Sequence, residues 1–275
     1  MILSAILFGV MALLIKVLSF SFSAELLAFG RFAIGFLILL VLFLARTVKF
    51  TIGNWFMLGA RGIIGAFAIL FYFKAAQLIP ISDAVVLQFT YPIFGSVFSA
   101  LFLKEKLRRG AVFALLSAFA GIFLVSSPVF SAFNIGYIYG ILSALCAGGV
   151  VVIIRYLGRD DNTWSITMSL MLFGTIICGA AAVESLVFPD FNSWLLLLAM
   201  AGLATIAQLL LAYSYKTCSV AEGATLSMIT VPTTVVLAVI FLGDSVSITF
   251  FAGTLLILAG IFYLFKTSSL GVCQG

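Results

Sequence analysis

The sequence predicts an all-α integral membrane fold, with ten transmembrane helices arranged as two inverted five-helix repeats. Three observations predict it. Hydrophobic residues make up 64% of the 275-residue chain and charged residues 8%, whereas soluble domains carry roughly a quarter charged residues. Ten apolar segments, most close to the roughly 20 residues that cross a bilayer, follow one another with short polar breaks. The first half of the chain also matches the second at a nearly constant offset.

The segments run over 1–18, 24–45, 54–77, 81–103, 110–128, 135–157, 163–187, 193–215, 220–242 and 247–266. No room remains for a separate soluble domain. Span one has no basic leader and no small-residue cleavage site, so it reads as a span rather than a cleaved signal. It is short, as expected if native residues precede Met1. Trp55, Trp164 and Trp194 open spans three, seven and eight, the placement of interfacial anchors. The polar tail, 267–275, reads as disordered.

Charge then orients the segments. With the N-terminus in the cytoplasm, the cytoplasmic breaks hold Arg46 and Lys49, then Lys104, Lys106, Arg108 and Arg109, then Arg155 and Arg159, then Lys216, and Lys266 after the last span. The outer breaks hold Glu25, Asp83, Glu184, Asp190 and Asp244. The only cations toward that side are Lys16 and Lys74, inside helix ends. Lysine and arginine mark the cytoplasmic side of inner-membrane proteins, so both termini are expected there. The net charge of +5 is therefore an orienting signal, and no nucleic-acid partner is expected.

The repeat is explicit. An offset of 139 residues carries Leu3-Ser4-Ala5 onto Leu142-Ser143-Ala144, Gly9 onto Gly148, Lys16 onto Arg155, Trp55 onto Trp194, Glu105 onto Asp244 and Gly121-Ile122-Phe123 onto Gly260-Ile261-Phe262. Pro92 and Pro232 match at an offset of 140. The repeats span 1–128 and 135–266. Five spans per repeat is odd, so the second repeat enters the membrane from the opposite side, the architecture that alternating access uses.

Each repeat carries a proline at the centre of its fourth span, Pro92 and Pro232. A mid-membrane proline frees the carbonyl one turn earlier, at Gln88 and at Met228. In hydrocarbon that carbonyl must face protein, ligand or a water-filled cavity. A kink can also serve close helix packing alone. The paired midplane positions favour a binding site.

Arg31 lies seven residues into span two, roughly 10 Å deep at 1.5 Å per residue. A guanidinium at that depth needs a cavity or a polar partner. No carboxylate lies at similar depth, so Arg31 either binds the acidic group of a solute or bonds helix carbonyls. Arg61 is expected to snorkel to the cytoplasmic interface. The candidate substrate-binding set is Arg31, Tyr72, Gln88, Tyr91, Pro92, Gln208, Ser227, Met228 and Pro232. Hydroxyls in such spans often bond back to their own helix. The small residues Ala114, Ala118, Gly121, Gly253 and Gly260 of spans five and ten are expected to pack within the chain.

The absences narrow the function. There is no P-loop and no histidine, which removes ATP drive and the usual proton shuttle. No carboxylate sits at the centre of a span, against a cation exchanger built on a midplane glutamate. The four cysteines, Cys146, Cys178, Cys218 and Cys273, contain no C-x-x-C pair, so no metal and no cofactor are expected, and the first two read as soft packing.

Arg31-Phe32, Tyr72-Phe73-Lys74-Ala75 leading into Ile81-Ser82-Asp83-Ala84, Tyr91-Pro92, Phe102-Leu103-Lys104-Glu105-Lys106-Leu107 and Gly121-Ile122 together resemble the drug/metabolite transporter superfamily, EamA-type branch with two EamA repeats. The resemblance covers nearly the whole chain. The second copy departs from it with Gly243-Asp244 in place of Lys104-Glu105. It implies a secondary transporter for a small organic metabolite, and it places the fifth span of each repeat at the periphery. With Arg31, it points to an amino acid or derivative, anionic or zwitterionic. Nucleotide-sugar or phosphate-ester exchange is the alternative, and a channel-like or structural scaffold is the reading of another class. The expected partners are the solute and the bilayer, with the chain a monomer or weak homodimer.

Overall fold

The computed structural model describes residues 1–18, 21–79, 81–105, 109–126, 134–183, 190–242 and 248–267. Every element among them is helical: α1 (Ile2–Leu18), α2 (Ala24–Leu44), α3 (Trp55–Leu78), α4 (Ile81–Gln88), α5 (Tyr91–Phe98), α6 (Arg109–Ser126), α7 (Ile135–Leu157), α8 (Thr163–Ala182), α9 (Phe191–Thr217), α10 (Val220–Ser227), α11 (Thr230–Leu242) and α12 (Ile248–Thr267). A π-helical turn, Ser99–Leu103, continues α5. The expected outer acids Glu184 and Asp244, the loop cations Lys106 and Arg108, and the tail beyond Thr267 lie outside the described residues, as does the side chain of Lys16.

Among the described residues, seven stretches are long and apolar enough to cross a membrane: Ala24–Leu44, Trp55–Ala75, Asp83–Leu103, Ile135–Leu157, Thr163–Ala182, Phe191–Thr217 and Val220–Phe241. Three shorter apolar helices, Ile2–Ile15, Arg109–Val125 and Ile248–Tyr263, accompany them. The protein is a multi-pass, all-α membrane protein.

Capping residues set where several helices begin. Ser23 accepts from Leu26 N at 3.3 Å, Asn54 from Met57 N at 3.0 Å, Asn134 from Gly136 N at 2.8 Å and Asn162 from Ser165 N at 2.9 Å. Ser219 and Glu222 form a reciprocal capping box at the start of α10. Each cap satisfies a backbone donor that a helix start leaves open.

The offset seen in the sequence recurs in the helices. The pairs α2 and α8, α4 and α10, α5 and α11, and α6 and α12 each begin 139 residues apart. Packing repeats in the same way. Helix α3 lies on α7 as α9 lies on α1; α5 lies on α7 as α11 lies on α1; and α2 and α8 face each other, as do α6 and α12. Ser4 donates to Ala207 O at 2.7 Å and Ser143 donates to Ala68 O at 2.6 Å. Those donors and those acceptors are themselves 139 residues apart.

Helices α6 and α12 pack through their small residues. A Cβ at Gly121 would come within 2.5 Å of Gly253 O, and one at Gly260 within 2.8 Å of Ala114 O. Ala114 and Ala118 are fully buried in the seam. The opposite faces carry exposed Phe113, Leu116, Phe251, Leu255 and Phe262, suited to lipid. With no hydrophobic drive between helices in lipid, such close backbone approach is what holds two spans together.

A side chain at this seam should therefore cost stability. Gly253→Val is expected to lower the melting temperature of the detergent-solubilised protein, because overpacking costs about 1–3 kcal/mol, while Leu255→Val on the lipid face should change little. Equal melting of parent and Gly253→Val would refute the seam.

Candidate functional site

Both central spans are broken. Helix α4 stops at Gln88 and α5 starts at Tyr91; α10 stops at Ser227 and α11 starts at Thr230. Each break is two residues long, and the breaks are again 139 residues apart. Pro92 sits in the first turn of α5, and Pro232 is the third residue of α11. Proline at a helix start loses no intrahelical donor and supplies a preset φ. The prolines thus start the second half-helices rather than bend continuous ones.

The two carbonyls expected to be free differ. Gln88 O receives no backbone N–H among the described residues. Met228 O accepts from Val231 N at 3.2 Å in a tight turn, which corrects the expectation that Pro232 frees it. Met228 is also fully buried, in an apolar cluster with Ala114, Ala118 and Ile257. It packs the back of the break.

Side chains cross-link the breaks. Tyr91 Oη and Ser227 Oγ are 2.5 Å apart. Ser227 gives its proton to Ala224 O at 2.7 Å, so Tyr91 donates to Ser227. Gln88 Oε1 lies against Ser143 Oγ. The Ser143 hydroxyl has one proton, which it gives to Ala68 O, so the Gln88 amide is best read with its NH2 turned to donate to Ser143. Thr230 Oγ1 donates to Ala5 O at 3.1 Å. Two repeat-paired glycines let the neighbouring helices come this close. A Cβ at Gly148 would lie 2.9 Å from Gly95 N, and one at Gly9 would lie 2.8 Å from Thr233 Cγ2.

Arg31 is 6% exposed, and its guanidinium carbon lies 5.5 Å from the Phe32 ring centroid and 5.9 Å from that of Phe8. Its Nε has no hydrogen-bond partner. Arg61 is 1% exposed, with Nε and Nη1 unpartnered. This corrects the expectation that Arg61 snorkels to the interface: its guanidinium lies beside Gly65, one turn deeper along α3. Gln208, 6% exposed, makes no side-chain hydrogen bond among the described residues. Tyr72 is half-buried and packs against the clusters containing Phe32 and Ala75. No described hydrogen bond joins either arginine to the Tyr91–Ser227 pair.

A further junction was not foreseen. Arg155 Nε and Glu105 Oε1 form an ion pair of 2.9 Å. Arg155 also donates to the last carbonyls of α9, Tyr215 O at 3.3 Å and Lys216 O at 2.5 Å, and Glu105 Oε2 accepts from Val220 N at the start of α10, at 3.3 Å. A cation on a helix C-terminus and an anion on a helix N-terminus both match the helix dipole. One pair therefore ties together the segment after α5 and helices α7, α9 and α10. Beside it, Lys216 Nζ donates to Asp161 O at 2.9 Å, and Gly53 N donates to Asp161 Oδ1 at 2.7 Å. The signal was in the repeat: Arg155 and Glu105 both match a residue of like charge, Lys16 and Asp244. Asp83, read as an outer break residue, is fully buried in the first turn of α4 and accepts from Tyr137 at 2.8 Å.

Residues 1–127 and 134–266 each match the model of the EamA-like transporter family. The chain belongs to that family. It is 31% identical over 223 residues to the pseudopaline exporter CntI of Pseudomonas aeruginosa, covering 80% of this chain and 78% of that one. It is 23% identical over 215 residues to the riboflavin transporter of Brucella anthropi, covering 76% of each. Solute carrier family 35 member G1 of Mus musculus is 34% identical over 131 residues, 47% of this chain and 35% of that one. One crystal structure, at 22% identity, superposes with a TM-score of 0.85 over 98% of this chain and 95% of the other, a likeness of fold. The family and these relatives are transporters, so this EamA-like protein is a membrane transporter and not an enzyme.

The hydroxyl pair across the breaks is open to a direct test. Tyr91→Phe and Ser227→Ala should each lower stability by about 0.5–1.5 kcal/mol, the worth of one hydrogen bond, and the double variant by less than the sum. Strictly additive losses in thermal melts would mean the two hydroxyls do not touch.

Proposed function

We propose that this EamA-like protein is a secondary transporter that moves a small anionic or zwitterionic organic metabolite, an amino acid or derivative, across the inner membrane by alternating access. The observation that carries the reading is Arg31: a guanidinium 6% exposed, unpartnered at Nε and without a carboxylate beside it. Arginine keeps its charge under all ordinary conditions. Leaving that charge uncompensated in a low-dielectric bundle is costly, and an acidic solute offsets the cost when it binds.

Ten spans as two inverted repeats suit this function. The common helix offset, the repeated packing and the paired Ser4 and Ser143 bonds support two copies of one unit. The cations that gather at residues 46–49, 104, 155–159 and 216 support a cytoplasmic face with both termini on it. On that reading the Glu105–Arg155 junction closes the cytoplasmic side, and the broken spans carry the solute between sides. Relatives named for pseudopaline and for riboflavin support a small-molecule cargo.

Reconstituted protein should show saturable counterflow of its solute. Arg31→Lys is expected to weaken it, since lysine keeps the charge but loses the two-pronged contact, and Arg31→Ala to weaken it further while the protein still folds. Full transport by a well-expressed Arg31→Ala protein would sink the assignment, and flux without saturation or counterflow would make the protein a channel.

Sidedness has its own test. Arg159 is exposed beyond the end of α7, and a cysteine there should resist a membrane-impermeant thiol reagent in intact cells and react in opened ones. Labelling from outside would reverse the orientation.

A further inference from the structure

Arg61 is the largest of the fully buried side chains among the described residues. Two of its guanidinium nitrogens, Nε and Nη1, have no partner. Every described carboxylate near the bundle is otherwise placed. Glu105 pairs with Arg155, Asp83 accepts from Tyr137, Asp161 holds the Gly53 amide, and Glu222 caps α10. Glu25 lies in the first turn of α2, six residues before Arg31, and no ion pair joins them among the described residues. Two permanently charged side chains are thus held inside without a counter-charge.

Their heights converge. Arg31 is about 10 Å into α2, and Arg61 is about 9 Å into α3 from the opposite end, because α2 ends and α3 begins at the same short connection. In a hydrocarbon core about 30 Å thick this leaves about 10 Å between their Cα heights. Both side chains reach into that gap. Arg61 Nη1 lies where a Cβ on Gly65 would stand, a turn closer to the middle, and the Arg31 guanidinium lies over Phe8, near the middle of α1. Both lie against α8: a Cβ on Gly65 would meet Arg61 Nη1 and Leu170 Cδ1, and one turn along α8 a Cβ on Gly174 would meet the Phe32 ring, which the Arg31 guanidinium covers. Two like charges held dry and unpaired against one helix favour a ligand that brings two negative charges.

We propose that Arg61 is a second anion-binding residue and that, with Arg31, it holds a solute carrying two negative charges. The proposal rests on the reading of Arg31 as part of the transport site. The shared chemistry is a compact dianion offered to two planar forks: either a phosphate ester or a pair of carboxylates on one small acid. Gly65 belongs to this device, since a Cβ there would also stand 2.7 Å from Leu170 Cδ1 and the guanidinium would have to leave.

Full-length protein is measured by thermal shift at pH 8 with inorganic phosphate, malonate or acetate at equal ionic strength. Both dianions should bind the parent at least roughly tenfold more tightly than they bind Arg61→Gln, the worth of one charge-assisted contact, while acetate changes by less than about threefold. Phosphate ahead of malonate points to a phosphate ester, and malonate ahead to a dicarboxylate. Without ligand, Arg61→Gln should melt at the parent's temperature or above it, because it removes an uncompensated buried charge; a structural arginine would lower it. Gly65→Ala, which displaces the same guanidinium, should mimic Arg61→Gln in dianion binding. Acetate binding as tightly as the dianions, dianion binding indifferent to Arg61 and Gly65, or a ligand-free protein weakened by Arg61→Gln would overturn the proposal. If Arg31→Gln abolishes binding while Arg61→Gln leaves it intact, only this inference falls. If Arg31→Gln changes nothing, the reading beneath it falls as well.

Discussion

A helix that breaks inside a membrane must find partners for its backbone from within the protein, and most of this structure answers that constraint. In hydrocarbon, an unsatisfied amide or carbonyl costs several kcal/mol. Two spans break at their centres, at 89–90 and at 228–229. The chain meets the cost with local turns, with prolines that carry no amide hydrogen, and with the spans' own hydroxyls, Thr90 to Leu87 O and Ser227 to Ala224 O. Tyr91 to Ser227 joins one break to the other, and Thr230 to Ala5 fastens α11 to α1. Gly9 and Gly148 exist to let α1 and α7 lie against the breaks. At the first break, Gln88 O receives no backbone N–H among the described residues.

The two breaks are alike in length and position but not in chemistry. Met228 turns its carbonyl inward and its side chain into the α6–α12 core. Gln88 keeps a free carbonyl and an amide that reaches Ser143. A repeat duplicated in sequence has thus diverged where it meets the interior. The first half supplies the polar side chain, and the second supplies packing and the Ser227 hydroxyl.

Charge follows a comparable division. At one end of the bundle two cations are held: Arg155 meets Glu105 and the α9 carbonyls, and Lys216 meets Asp161 O. Exposed pairs of this kind are worth little individually, but this one gathers four segments at a partly buried point, with side chains 26% and 19% exposed. Deeper in, Arg31 and Arg61 are unmatched. Stability alone does not account for keeping them, since apolar residues of similar size would pack at lower cost. Matched charge at the end and unmatched charge deeper in is the contrast on which the proposed solute site rests.

The sequence by itself determined the class of this protein. Apolar segments of bilayer length admit only helices here, and the 139-residue offset in Leu3-Ser4-Ala5, Gly9 and Trp55 shows that one unit is written twice. The location of the breaks was legible because proline has no amide hydrogen wherever it sits. Which carbonyl is left free was not, since that depends on turn geometry: Val231 N reaches Met228 O, and the first break has no equivalent bond to Gln88 O. The fate of Arg61 was not legible either. A long side chain can turn toward either end of its helix with the same sequence around it, and only the notch at Gly65 and the wall at Leu170 decide that it turns inward. The pairing of Arg155 with Glu105 across 50 residues likewise waits on how α5 and α7 come together. Periodicity and composition are properties of neighbours along the chain, whereas the partner of a buried charge is a property of helices that meet only when the bundle closes.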